Sequence, residues 1–185
     1  MSMQSPTRKR PVAAGSLHGA ALLLLCALAT AAQAAPDIAT PKSPWKLAFA
    51  MDDVTPRLYE LKPGTDSASF NYARKDGVAI QVYIEPLKPK GCNSAEQCRD
   101  QLWKLLQPKL DGTERTAQGQ LGEAYTIEIL LPKERNLPVN AKTLYAEFVH
   151  EGYWADVRIS KGGFKPEDQA KLEALVHSVR FEPKH

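Results

Sequence analysis

Residues 143–182 read TLYAEFVHEGYWADVRISKGGFKPEDQAKLEALVHSVRFE, and the reading of this stretch decides the fold. Leu144, Ala146 and Phe148 alternate with Tyr145, Glu147 and Val149; after His150-Glu151-Gly152 the apolar set resumes at Tyr153, Ala155, Val157 and Ile159. A period of two on both sides of a tight turn predicts an antiparallel hairpin with one buried face. Gly162 and Gly163 break the second strand. Pro166, Glu167 and Asp168 then start a helix, because proline fits the first helical turn and carboxylates favour the positive end of the helix dipole. Leu172, Leu175, Val176 and Val179 fall at helical spacing, so this helix has an apolar stripe for the hairpin to cover.

Upstream, Ala68, Phe70 and Tyr72 alternate with polar partners, Arg74-Lys75-Asp76-Gly77 makes a turn, and Val78, Ile80, Val82 and Ile84 alternate again. An Asp-Gly between two alternating runs predicts a second hairpin. Ser94 stands three residues ahead of Gln97, the capping-box spacing, at the head of a helix running to about Gln107 with Cys98, Leu102, Leu105 and Leu106 on one side. Trp45 to Met51 is a first strand, and Arg57 to Leu61 is ambiguous. Asp111 to Gln120 reads as polar and turn-rich. Tyr125, Ile127, Ile129 and Leu131 make a further strand, and the proline-flanked PKERNLPVN a loop. About five to seven strands, mostly antiparallel, with two main helices define an α+β fold.

Met1 to Ala34 has the build of a secretory signal peptide: a basic Arg8-Lys9-Arg10, an apolar run around Leu22 to Ala29, and Ala32-Gln33-Ala34 where a signal peptidase reads small residues. The apolar run is shorter than the ~20 residues that span a bilayer. Ala35 to Pro44, with three prolines, reads as a flexible tether before a single domain from Trp45 to His185. The whole chain carries 24 basic and 21 acidic residues; the leader holds three basic and no acidic ones, so the remainder balances at 21 against 21. The basic pI therefore gives no support for nucleic-acid binding or for membrane association after cleavage. A periplasmic or secreted location is expected, and there Cys92 and Cys98 are expected to pair as a disulfide.

No GxSxG, HExxH, phosphate loop or EF-hand spacing occurs, and neither a cofactor nor a metal is expected. His150 falls at a turn, His177 near a helix C-terminus and His185 last, all read as solvated or capping. Strand parity is more informative. If the apolar residues share one sheet face, the other gathers Gln81, Tyr83, Glu85, Thr126, Glu128, Tyr145, Glu147, Trp154, Asp156 and Arg158. Tyr83, Glu128, Tyr145, Glu147, Trp154, Asp156 and Arg158 form the candidate binding face, because aromatics supply contact while polar groups orient a partner. The bland alternative is cross-strand pairing on a solvated sheet.

The order hairpin, helix, strands, then GYWADVRISKGGFKPEDQAKLEALVHSVRF over residues 152–181, resembles the end of Mog1/PsbP-like domains. The resemblance implies an α/β/α sandwich around an antiparallel sheet and a non-enzymatic binding or accessory role. These readings together lead to an exported protein that binds a protein or small ligand. The alternatives are a small periplasmic hydrolase using Glu128, Glu147 or Asp156, and an immunity-type protein neutralising a secreted toxin. The hydrolase reading rests on paired carboxylates, which can do acid/base work on a glycosidic bond.

Overall fold

The computed structural model describes residues 37–50, 53–88, 91–134 and 137–184. The stretch read as a signal peptide, Met51 at the end of the first expected strand and His185 lie outside the described residues.

The fold is α+β. Nine strands are described: β1 (Trp45–Ala48), β2 (Val54–Leu61), β3 (Ala68–Arg74), β4 (Val78–Pro86), β5 (Arg115–Leu121), β6 (Ala124–Glu134), β7 (Leu137–His150), β8 (Tyr153–Lys161) and β9 (Arg180–Pro183). The two helices are α1 (Ala95–Leu106) and α2 (Gln169–His177). Seven strands form one sheet in the order β2-β3-β4-β8-β7-β6-β5, and β1 pairs with β9 in a separate ribbon. Every pairing is antiparallel.

Local chemistry explains the framework. The β7–β8 turn puts Glu151 (φ 43°) and Gly152 (φ 80°) in the left-handed region, as a two-residue hairpin turn with the twist of its strands requires. The turn sets Phe148 opposite Ala155, Ala146 opposite Val157 and Leu144 opposite Ile159. Ser94 caps α1 by accepting from Gln97 N at 3.2 Å, while the Gln97 side chain accepts from Asn93 N at 2.9 Å. The Asp168 carboxylate accepts from Lys165 N at 3.0 Å, and a 3₁₀ turn over Pro166–Asp168 leads into α2.

The chain leaves β4 in the middle of the sheet and re-enters at the far edge in β5, and α1 lies in that crossover. Helix α2 packs Leu172, Leu175 and Val176 on the opposite face, over Phe70, Ile80, Val82, Leu144, Val157 and their neighbours. The sheet is therefore sandwiched between helices.

Three local expectations are corrected. Asp111 to Gln120 is not all turn: Arg115–Leu121 is an edge strand held by its ladder to β6 although its side chains are almost all exposed. The PKERNLPVN loop is mostly strand, with β6 running on to Glu134 and β7 starting at Leu137 past a bulge near Leu131 and Lys133. The segment read as a tether is packed at its fourth to sixth and ninth residues: Ile38, Ala39, Thr40 and Ser43 are buried, and Leu47 N donates to Ile38 O at 2.8 Å.

Candidate functional site

The site is built on the sheet face beneath α1. Register places Tyr125, Glu147, Asp156, Tyr83 and Ser69 in one row across β6, β7, β8, β4 and β3. The next row is Ile127, Tyr145, Arg158, Gln81 and Asn71, and Trp154 stands between Val149 and Glu85. Tyr83, Tyr145, Glu147, Trp154, Asp156 and Arg158 are thus brought together, as their parity predicts.

Glu128 is not among them, and this corrects the expected face. Its register partner is Leu144, on the α2 face, where its carboxylate accepts from Lys142 Nζ at 2.5 Å and from Gln169 Nε2 at 2.9 Å. Thr126 moves with it, opposite Ala146. The apolar positions Ile127 and Ile129 instead face α1 and pack with Leu102. Both faces of β6 are covered, so the apolar alternation within that strand does not say which layer it serves.

The α1 face divides into a closed and an open half. In the closed half the Cys92–Cys98 disulfide packs on Trp154 with Leu87 and Val149 around it. The indole Nε1 of Trp154 donates to Glu147 Oε2. Glu147 and Asp156 sit directly opposite each other on β7 and β8, and both are fully buried. Burial, then the charge of Asp156, push the Glu147 carboxyl well above the usual carboxylate range, and a hydrogen bond between the two acids works the same way. Trp154 and Arg158 pull it down by less. Glu147 is therefore the member of the pair whose ionisation is disfavoured, since two adjacent buried acids cannot both ionise cheaply.

Arg158 compensates Asp156. Its Nε and a terminal nitrogen reach one Asp156 oxygen at 2.7 and 2.6 Å. Both contacts fall on that one oxygen, so the carboxylate keeps capacity to accept the Glu147 proton. The guanidinium carbon lies 4.5 Å from the centre of the Tyr83 ring and 5.4 Å from that of Tyr145, a doubled cation–π contact. Burial is the main cause of the raised Tyr145 hydroxyl.

Beyond Arg158 lies the open half. Helix α1 packs over β6 and β7, while on the same face Gln81 of β4 and Leu58 and Glu60 of β2 are exposed and Ser69 and Asn71 of β3 are half-buried. Asn71 and Ser69 were readable from the parity of Phe70 and Tyr72. Leu58 and Glu60 were not, because the β2 register shifts between Pro56 and Leu58. Arg99 of α1, whose guanidinium sits 5.4 Å from the Tyr125 ring, closes the far side and had no sequence signal.

No protein-family model matches the chain, and no curated protein is significantly similar to it. The site is therefore read from its own chemistry. Its acids are arranged for structure, being sealed from solvent, whereas its tyrosines and arginine reach a surface.

Proposed function

We propose that this is an exported, non-enzymatic binding or accessory protein that docks a partner protein on the open half of its α1 face, around Tyr83, Arg158 and Tyr145. The observation that carries this reading is the guanidinium of Arg158, fixed by Asp156 and held between two tyrosine rings beside an uncovered stretch of β4, β3 and β2. Tyrosine and arginine are the residues that dominate protein–protein hot spots, and a side chain already immobilised loses little entropy on binding. An open, exposed sheet face suits a protein better than a small molecule, which needs a concavity. The Mog1/PsbP-like layout agrees, since that group works mostly by binding. Export is supported by the leader and by the Cys92–Cys98 pairing. Catalysis by Glu147 and Asp156 has no such support, as their complete burial denies them a substrate.

The test is retrieval of partners from an envelope extract by the tagged mature protein and by its Tyr83→Ala/Gln81→Ala variant. Neither change enters the core. The reading expects a protein retained by the parent and reduced by more than about tenfold with the variant. An identical set of retained proteins would refute it.

A further inference from the structure

On the opposite side of the sheet the structure holds a second concavity. Helix α2 ends at His177 while the sheet beneath continues to the β5–β6 turn, and a cavity of about 490 Å³ lies between them. Its volume is within the range of small-ligand sites. Phe148 and Val176, both nearly fully buried, and the half-buried Phe181 form an apolar base. His150 lies flat on Phe181 with ring centres 4.3 Å apart, and Trp45 meets both rings at steep angles, 5.5 Å from His150 and 4.9 Å from Phe181, so one wall is a fixed aromatic array.

The rim differs from the base: it carries His177 from the last turn of α2, Arg180 from the start of β9 and Glu123 of the β5–β6 turn, and His177 lies close to Gly122 of that same turn. Arg180 uses its Nε on Glu182 at 2.6 Å, which leaves guanidinium donors for a second acceptor. Among the described residues neither His150 nor His177 has a hydrogen-bond partner through its imidazole.

We infer that this cavity binds a small aromatic carboxylate, its ring against Phe148, Phe181 and His150 and its carboxylate on Arg180 and His177. Ring edges and faces in the wall favour an aromatic body over a flexible chain, and a guanidinium with spare donors favours a carboxylate. Glu123 at the mouth limits the ligand to one carboxylate, because a second negative charge would meet it. The site is independent of the partner-binding face, which lies across the sheet.

The experiment titrates 2-naphthoate, 2-naphthamide and 2-naphthylmethylamine into the ¹⁵N-labelled mature protein and follows amide shifts. Saturable 2-naphthoate binding is expected with a dissociation constant below about 1 mM. Shifts should centre on Gly122, Glu123, His177 and Arg180, and the neutral amide should bind about tenfold more weakly. Arg180→Gln, an exposed substitution that leaves the core intact, should weaken the carboxylate about tenfold and leave the amide unchanged. Absence of saturation, shifts centred elsewhere, equal affinity for the amide, tighter binding of the amine, or an unaffected Arg180→Gln variant would each overturn the assignment.

Discussion

Glu147 is a fully buried acid whose ionisation the fold disfavours, with a tryptophan donor and a second carboxylate beside it. Its folded-state pKa is raised, so the folded state binds the proton more tightly than the unfolded state does. By linkage, the stability this contributes is complete below the unfolded value and is lost as pH rises through the folded one. Glu147→Gln supplies an amide that can still accept from Trp154 and donate to Asp156, without the ionisation. Urea midpoints for the two proteins should run together at acidic pH and separate as pH rises, with the variant the more stable on the alkaline side. Parallel curves would mean that Glu147 does not carry the proton. The neighbouring Arg158→Ala leaves Asp156 buried without its cation and is expected to destabilise by about 3 kcal/mol, as removal of one partner of a buried pair does. A loss under 1 kcal/mol in denaturant unfolding would show that Asp156 is neutralised by other means.

Helix α1 does not owe its place to its own stripe alone. Cys98 and Leu102 are buried, but Leu105 is 66% exposed. What fixes the helix is the disulfide at its first turn, seated on Trp154. Closing so short a loop stabilises by about 2 kcal/mol on the entropic account. Replacing Cys92 and Cys98 by serine should therefore cost about that much, and hydrogen exchange should quicken in α1 and around Trp154 while α2 and β9 keep their protection; uniform acceleration would assign the disulfide a global role instead. The elements legible in the sequence were those with a regular apolar period and clear turn or start signals, namely the β3–β4 and β7–β8 hairpins and both helices, although β7 and β8 are buried on both faces and not on the one their alternation predicts. Strand β5, with sequence RTAQGQL, was not, because backbone pairing alone holds it and its side chains leave no apolar trace. Strand β6 showed its alternation but not its orientation. Ile127 and Ile129 serve one layer and Thr126 and Glu128 another, and only register with β7 distinguishes them. That is why six of the seven expected face residues assemble and Glu128 does not.

The molecule closes where the two ends of its domain meet. Trp45 pairs with Pro183 and Leu47 with Phe181; Lys184 N donates to Pro44 O at 2.9 Å, and Lys184 Nζ to Thr40 O at 2.6 Å. Three prolines between Ala35 and Pro44 suggested a tether because proline leaves helices and ladders, but it does not leave cores, and Ile38 between the first two is 5% exposed. The segment beginning at Asp37 is thus part of the layer that covers the sheet beside α2, and it holds β9 indirectly through β1. A chain beginning at Ala35 keeps the burial of Ile38 and the bonds to Thr40 O and Ile38 O. One beginning at Pro44 loses the burial of Ile38, about 2 kcal/mol, together with the hydrogen bonds from Leu47 N to Ile38 O at 2.8 Å and from Lys184 Nζ to Thr40 O at 2.6 Å, each worth about 1 kcal/mol. At about 2–4 °C per kcal/mol for a domain of this size, the melting temperature should fall by roughly 10 °C. The loss should be accompanied by weaker exchange protection in β9 at the far end of the sequence, a coupling that a true tether could not produce; equal melting temperatures for the two chains would restore the tether reading.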